Sequence, residues 1–164
     1  GYDFGCLMMY FDTCELISSA HDYIASKKLL DTKIEKDVHF TILYGLDPVQ
    51  VTPVDFGYLK SFPINLIKNS IKFNGVSLFE NPEYDVIKID ISSPVLDFIN
   101  FETRKLPHHN AYPVYHPHIT LAYVAGGQGE LVIPKLNQIL ADLSPNHMTN
   151  LRFVFSGMEK EIML

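Results

Sequence analysis

Two six-residue segments of the chain repeat one another, and such an echo draws a chain toward a fold of two equivalent halves. His39-Phe40-Thr41-Ile42-Leu43-Tyr44 and His118-Ile119-Thr120-Leu121-Ala122-Tyr123 each read His, apolar, Thr, apolar, apolar, Tyr. In 164 residues with 7 His, a lone His-x-Thr triplet turns up by chance roughly 0.3 times, so one copy would carry little meaning. Two copies that agree in class at every position, the sixth-place Tyr included, reduce coincidence to roughly one in several thousand.

Strand geometry turns the echo into chemistry. Side chains on a strand alternate faces, so His39, Thr41 and Leu43 are expected on one face, with Phe40, Ile42 and Tyr44 on the other. Likewise His118 and Thr120 share a face opposite Ile119 and Leu121. Lobes related by a pseudo-twofold would bring both polar pairs to one cleft. Two imidazoles and two hydroxyls around one centre suit a phosphodiester. One imidazole takes a proton from the attacking hydroxyl or water, and the other protonates the departing oxygen. Histidine serves both tasks near neutrality. The hydroxyls donate to the non-bridging phosphate oxygens. His39, Thr41, His118 and Thr120 are therefore the expected catalytic residues, and no metal or other cofactor is called for. A lone strand histidine is more often a hydrogen-bonded structural residue; the matched pair turns the reading to catalysis.

Around the motifs, strand and helix patterns alternate. Residues 4–11 form an aromatic-rich apolar run that reads as a buried strand. Asp12 with Glu15 reads as a capping box for a helix over 13–29, with Leu16, Ala20, Tyr23 and Ile24 on its apolar face. A strand at 39–44 ends at Gly45, and Pro53 opens a short helix to 61 with Phe56 and Leu59 inward. Strands at 70–79 and 84–91 flank the Asn81-Pro82 turn, and Ile87, Ile89 and Ile91 alternate in the second. Ser93-Pro94 reads as cap and first position of a helix to about 105. A proline-rich loop covers 107–117, a strand 118–124, a helix from Pro134 carries Leu136, Ile139, Leu140 and Leu143 inward, and a last strand runs from about 150 to 156, extending toward 163. The order β-α-β-α-β-β-α-β-α-β predicts an α+β sandwich of two similar lobes. No linker or low-complexity stretch divides it, so residues 1–164 read as one domain.

Composition narrows the partner. The chain is 47% apolar and 20% charged, enough for a core and unlike a disordered chain. It has 13 Lys and Arg against 19 Asp and Glu, a formal net charge of −6. Proteins that track long nucleic acid draw affinity from phosphate contacts and show a basic surplus; this chain has none, so no long nucleic acid is expected. No apolar run reaches a membrane span and no signal-like segment is read, so no membrane partner is expected and the cytoplasm is the default location. Gly1 in place of an initiating Met suggests trimming or processing. Cys6 and Cys14 read as buried free thiols of a reducing compartment.

The two motifs and the strand-helix order around them resemble the 2H phosphoesterase superfamily, with its LigT-like fold, over essentially the whole chain. The resemblance implies a bilobal α+β domain: two pseudo-symmetric antiparallel-sheet lobes, outer helices and a central cleft. It also implies metal-independent phosphodiester cleavage, or ligation in reverse, with one motif histidine as base and the other as acid. The residues that carry over are His39, Thr41, His118 and Thr120. The extended wording HFTILYGL and YHPHITLAYV is most similar to the phage group that includes the anti-CBASS nucleases, which destroy cyclic di- and trinucleotide signals of bacterial immunity. That implies a cyclic oligonucleotide partner, met in the cytoplasm of a host bacterium if the chain is phage-encoded. The acidic balance agrees, because a small cyclic nucleotide needs only a local pocket. RNA-end processing, as a 2′,3′-cyclic phosphodiesterase or 2′-5′ RNA ligase with a short RNA substrate, is the alternative. A third reading is a non-catalytic nucleotide-sequestering module, although sequestration alone would not need both imidazoles.

The candidate pocket groups are aromatic: Tyr10 and Phe11 on the first strand, Tyr112 and Tyr115 in the loop, since rings stack on bases at about 1–3 kcal/mol each. Tyr10 and Tyr115 are the candidates carried forward, with His116 at the cleft edge if the strand of His118 reaches that far. His116-x-His118 has metal-ligand spacing, but the prolines around it and the lack of nearby carboxylates argue against a metal. Lys27, Lys28, Lys33 and Lys36 read as a solvated helix end and loop, with phosphate capture as the other reading. Glu159 and Glu161 would close a ligand pocket only by reaching it from the C-terminus.

Overall fold

Apolar residues at every second place convert a strand into one buried and one wet face, and that pattern accounts for most of the sheet. The structure, a computed structural model, describes residues 4–109, 112–157 and 161–164. Within them run β1 (Gly5–Asp12), α1 (Glu15–Ser26), β2 (Lys33–Ile34), β3 (His39–Leu46), α2 (Ile64–Ser70), β4 (Lys72–Glu80), β5 (Tyr84–Ser92), α3 (Pro94–Thr103), β6 (His118–Ala125), α4 (Ile133–Ile139), β7 (Thr149–Ser156) and β8 (Glu161–Met163). The predicted order is recovered with β2, α2 and β8 added. Pro53–Ser61 is a 3-10 helix, opened by a capping box of Thr52 and Asp55, so it is tighter than the short helix expected there.

Among the described residues, the strands form one antiparallel sheet in the order β4-β5-β6-β3-β1-β7-β8, with β2 also on β6. The two central strands share a single Cα pair, Phe40↔Ile119. Past it they separate, and β2 takes over the edge of β6 through Lys33↔Tyr123 and Ile34↔Ala122. The sheet therefore falls into two lobes hinged on one residue pair. β3, β1, β7 and β8 make the first lobe; β6, β5 and β4, with β2, make the second. This is the bilobal α+β arrangement the motifs imply.

Helices cover the back of the sheet, and they cross between lobes. The helix that follows β1, α1, packs on β6 and α4, while α3, which follows β5, packs on β3 and α2. Ile17, Ala20 and Ile24 form the buried stripe of α1, and Leu96, Ile99 and Asn100 that of α3. One continuous apolar core, from Leu7 and Phe40 through Ile89 and Ile119 to Leu136, runs under both lobes.

Two predicted caps have different outcomes. Ser93 accepts the Leu96 N–H at 3.0 Å and caps α3 as expected. The Asp12 box does not form: Cys14 is the N-cap of α1, with no side-chain hydrogen bond. Asp12 instead ends β1 and accepts from Arg152 Nη1 at 3.3 Å, an interaction across strands that local spacing cannot reveal. The last strand also differs, breaking after Ser156 and folding back as β8 along β7 through Val154↔Met163 and Phe155↔Ile162.

Candidate active site

The Phe40↔Ile119 pair fixes the site. Both side chains are fully buried on the helix side of the sheet, so their neighbours in sequence face the opposite, open side. Antiparallel register carried one residue each way sets His39 opposite Thr120 and Thr41 opposite His118. The four motif side chains thus form a square, related by a pseudo-twofold axis through the bridge, and all four are half-buried.

The echo extends to hydrogen bonds. His39 Nδ1 lies 2.7 Å from the Asp37 carbonyl, and His118 Nδ1 lies 3.0 Å from the His116 carbonyl. A carbonyl only accepts, so each Nδ1 carries its proton and each Nε2 is left for proton transfer. Burial, then the charges of Lys88 and His39, hold His118 below the ordinary imidazole value, against opposing pulls from the His116 carbonyl and Asp90. At neutral pH His118 is therefore uncharged.

Both motifs also contain a bulge that simple alternation misses. Leu7 pairs with Leu43 but Met8 with Thr41, so Ile42 is an extra residue; Ile87 pairs with Ala122 but Lys88 with Thr120, so Leu121 is the extra one. Each bulge shifts the phase by one residue. Leu43 is consequently buried with Ile42, and Tyr44 turns to the open face that carries His39, contrary to the expected faces. Tyr123 does the same beside Thr120, whose side chain acts directly on its phenol. The carbonyls freed by each bulge are bound from outside the ladder. Asn100 Nδ2 donates to the Ile42 carbonyl at 2.7 Å and Tyr115 Oη to the Thr41 carbonyl at 2.8 Å. The Glu35 N–H donates to the Leu121 carbonyl at 3.0 Å. Gly45, at φ 97°, allows a further extra residue before Leu46 that most side chains would not tolerate.

On either side of the square the lobes differ. In the first, Tyr10 is opposite His39 with ring centroids 4.9 Å apart. Its hydroxyl donates to Glu161 Oε1 at 2.7 Å, and the Arg152 guanidinium lies 5.9 Å from its ring centroid. Burial and that acceptor push the phenol well above its usual value, so it stays protonated. Around it opens a cavity of about 570 Å³ lined by Tyr10, Asp12, Lys36, Asp37, Arg152 and Glu161 among others. Lys36 alone of the four predicted lysines lines it.

In the second lobe, Asp90 is opposite His118 and Lys88 opposite Thr120. A cavity of about 310 Å³ lies beyond them, lined by Asn74, Asp90, Ser92, Asp97, Tyr115 and His116 among others. His116 is exposed and precedes β6 rather than belonging to it. Tyr115 lines this cavity, but its hydroxyl is committed to Thr41. Phe11, named with Tyr10, is buried in the core against Phe40 at a centroid distance of 6.2 Å. Tyr112 is exposed and Glu159 lies outside the described residues. Burial raises the Cys6 thiol to about 11, so it is an inert free thiol. No group of three or more His, Cys, Asp or Glu able to hold a metal occurs among the described residues.

Sequence reasoning passed over Lys88, Asp90, Arg152 and Asn100. A signal existed for the first two, which occupy the polar places between Ile87, Ile89 and Ile91. Arg152 and Asn100 act across 142 and 58 residues, where only the fold supplies the register.

Across the whole chain the fold is similar to that of Usb1 from Kluyveromyces marxianus, with a TM-score of 0.66 at 12% identity, over 99% of this chain and 97% of that one. The structure of the same protein with uridine monophosphate gives 0.61 at 11% identity, over 99% and 97%. The fold is that of the 2H phosphoesterases, two lobes about a shared cleft. Within that class the chain has a family: residues 12–152 match the model of the anti-CBASS protein Acb1, and the chain belongs to that family. The activity of the class is phosphodiester cleavage. No curated protein matches the sequence. Among the described residues no helix is long and apolar enough to cross a membrane.

Proposed function

We propose that the chain works as one domain that opens cyclic di- or trinucleotide immune signals, in the cytoplasm of a bacterium under phage attack. His39, Thr41, His118 and Thr120 carry the chemistry. The observation behind this is the square: two imidazoles with free Nε2 atoms and two hydroxyls, symmetric about one point on the open face of the sheet. A phosphodiester placed there meets a proton acceptor on one side and a proton donor on the other. The base imidazole takes the proton of the attacking hydroxyl or water as its oxygen bonds to phosphorus. The acid imidazole protonates the departing ribose oxygen as the P–O bond breaks. Thr41 and Thr120 donate to the non-bridging oxygens, where charge builds up. Tyr10 offers a stacking face to a base in the cavity of the first lobe, and Tyr115 and His116 border the second. Family membership points to the substrate class.

The test is a panel of cyclic di- and trinucleotides beside an RNA ending in a 2′,3′-cyclic phosphate, in excess EDTA, with product masses. The cyclic oligonucleotides should be opened, and His39→Ala or His118→Ala should slow this by about 10²-fold or more. Turnover of the RNA end alone would move the substrate to RNA processing. Tight binding without turnover by wild type would favour sequestration.

A further inference from the structure

We infer that Lys88 is a phosphate-binding cation of this site, aimed by Asp90 and Ser77; the inference rests on the diesterase reading above. Lys88 is on β5, next to Thr120 in register, while Asp90, two residues on, is next to His118. Residues i and i+2 of a strand share a face, so both project to the open side with the motif residues, as their partial exposure confirms. Lys88 Nζ donates to Asp90 Oδ1 and, at 2.7 Å, to Ser77 Oγ. Ser77 Oγ in turn donates to Asp90 Oδ2 at 2.6 Å. The three side chains close a ring. Bonding to Asp90 bends the ammonium back along β5, from the level of Thr120 toward that of His118.

Three features favour a ligand role over a merely structural pair. An ammonium has three donors, and the ring uses two, so one N–H remains for a phosphate oxygen held by Thr120. The Lys88 side chain is 15% exposed; water is largely displaced from it, so its charge acts on a neighbouring anion at lower dielectric. Both Asp90 oxygens are bonded within the ring, so Asp90 holds the lysine, while His118 Nδ1 is directed to the His116 carbonyl rather than to Asp90. The other lobe has Met8 next to Thr41, at the place equivalent to Lys88. The square is therefore symmetric in its acid-base groups and asymmetric in charge. A phosphodiester would lie with one non-bridging oxygen toward Thr120 and Lys88, and with its base toward Tyr10. Lys88 binds the developing charge and takes no part in proton transfer.

The experiment compares wild type, Lys88→Met, Lys88→Arg and His118→Ala on a cyclic dinucleotide and on its two phosphorothioate diastereomers. Lys88→Met should lose about 10²-fold in kcat/KM, mostly in kcat, and Lys88→Arg should recover much of it. One diastereomer should slow wild type more than the other, and Lys88→Met should narrow that difference, which a structural role would not do. Wild-type kcat/KM in Lys88→Met, or loss with the diastereomer preference intact, would overturn the inference while leaving the diesterase reading in place. The converse case, a wild type that turns over no nucleotide, is met by titrating inorganic phosphate and following the Thr120 amide by NMR. Phosphate should shift it in wild type and not in Lys88→Met; equal shifts would again overturn the inference. Because Lys88→Met strands the Asp90 carboxylate, the pair Lys88→Met/Asp90→Asn replaces it if the single variant does not fold.

Discussion

At the scale of single residues, His118 and Tyr10 show how environment sets a role. Burial keeps His118 neutral at pH 7, which favours a base over an acid in the resting site. The same depression has a sign for stability. A histidine whose folded value lies below its unfolded value contributes stability above the unfolded value, and that contribution is lost as pH falls through the folded one. Unfolding free energy should therefore decline as pH drops below about 6.5, and His118→Gln should flatten part of the decline in denaturant titrations. His21, also lowered by burial and with Nε2 unpartnered, keeps the remainder. Tyr10 splits into ring and hydroxyl. Removing the ring in Tyr10→Ala should raise KM by about 5- to 150-fold, the worth of one base stack at about 1–3 kcal/mol, while Tyr10→Phe loses only the Glu161 bond and stays near wild type. Equal damage from both would make the hydroxyl, not the ring, the part that matters. The ring was legible in the sequence as an aromatic in the first strand. Glu161 was named from the sequence as a pocket candidate and does line the cavity, but its bond to Tyr10, 151 residues away, was not legible.

Elements explain where pattern reading succeeds and where it stops. Period-2 alternation correctly sets His39 and Thr41 against Phe40 and Ile42, because regular pairing holds from His39 to Thr41 and the phase slips only after the bulged Ile42. It fails for Leu43 and Tyr44, because the Ile42 bulge inserts a residue that only its partner strand reveals. Such a bulge persists when its orphan carbonyl is bound, and the donor is Asn100 on α3, 5% exposed and also accepting from Arg104 Nε at 2.9 Å. Asn100→Leu leaves the Ile42 carbonyl buried and unsatisfied and should cost about 1–3 kcal/mol in urea melts. It should also lower turnover, since the bulge sets the phase of the strand between Thr41 and Tyr44. An unchanged midpoint would mean that water replaces the amide. Helix ends behave similarly. The Ser93 cap was legible because its partner is three residues on, whereas Asp12 was misread because its true partner, Arg152, is on another strand.

The whole molecule is two lobes joined by one residue pair yet tied by helices that cross to the opposite lobe. That design leaves an open seam above the Phe40↔Ile119 bridge while the core beneath stays continuous. Charge is divided in the same way. The chain carries −6 overall, but Lys36 and Arg152 line the first cavity and Lys88 stands next to Thr120. These cations stand among carboxylates, with Arg152 paired to Asp12, Lys88 to Asp90, and Asp37 and Glu161 in the same first cavity, so the seam offers three local contacts, enough for a ligand with two or three phosphates. They give a long polyanion little to follow, because most of its length would face acidic surface. Salt dependence measures this difference directly. Releasing counterions from about two phosphates gives a log-log slope near −1.4, so raising salt from about 50 to 200 mM should lower kcat/KM for a cyclic dinucleotide by no more than about tenfold. A long RNA in large excess should not inhibit. A loss of about 10³-fold over the same range would require about seven phosphate contacts, more than three cations at the seam can supply, and would mean that the substrate extends beyond the cleft onto a second basic surface.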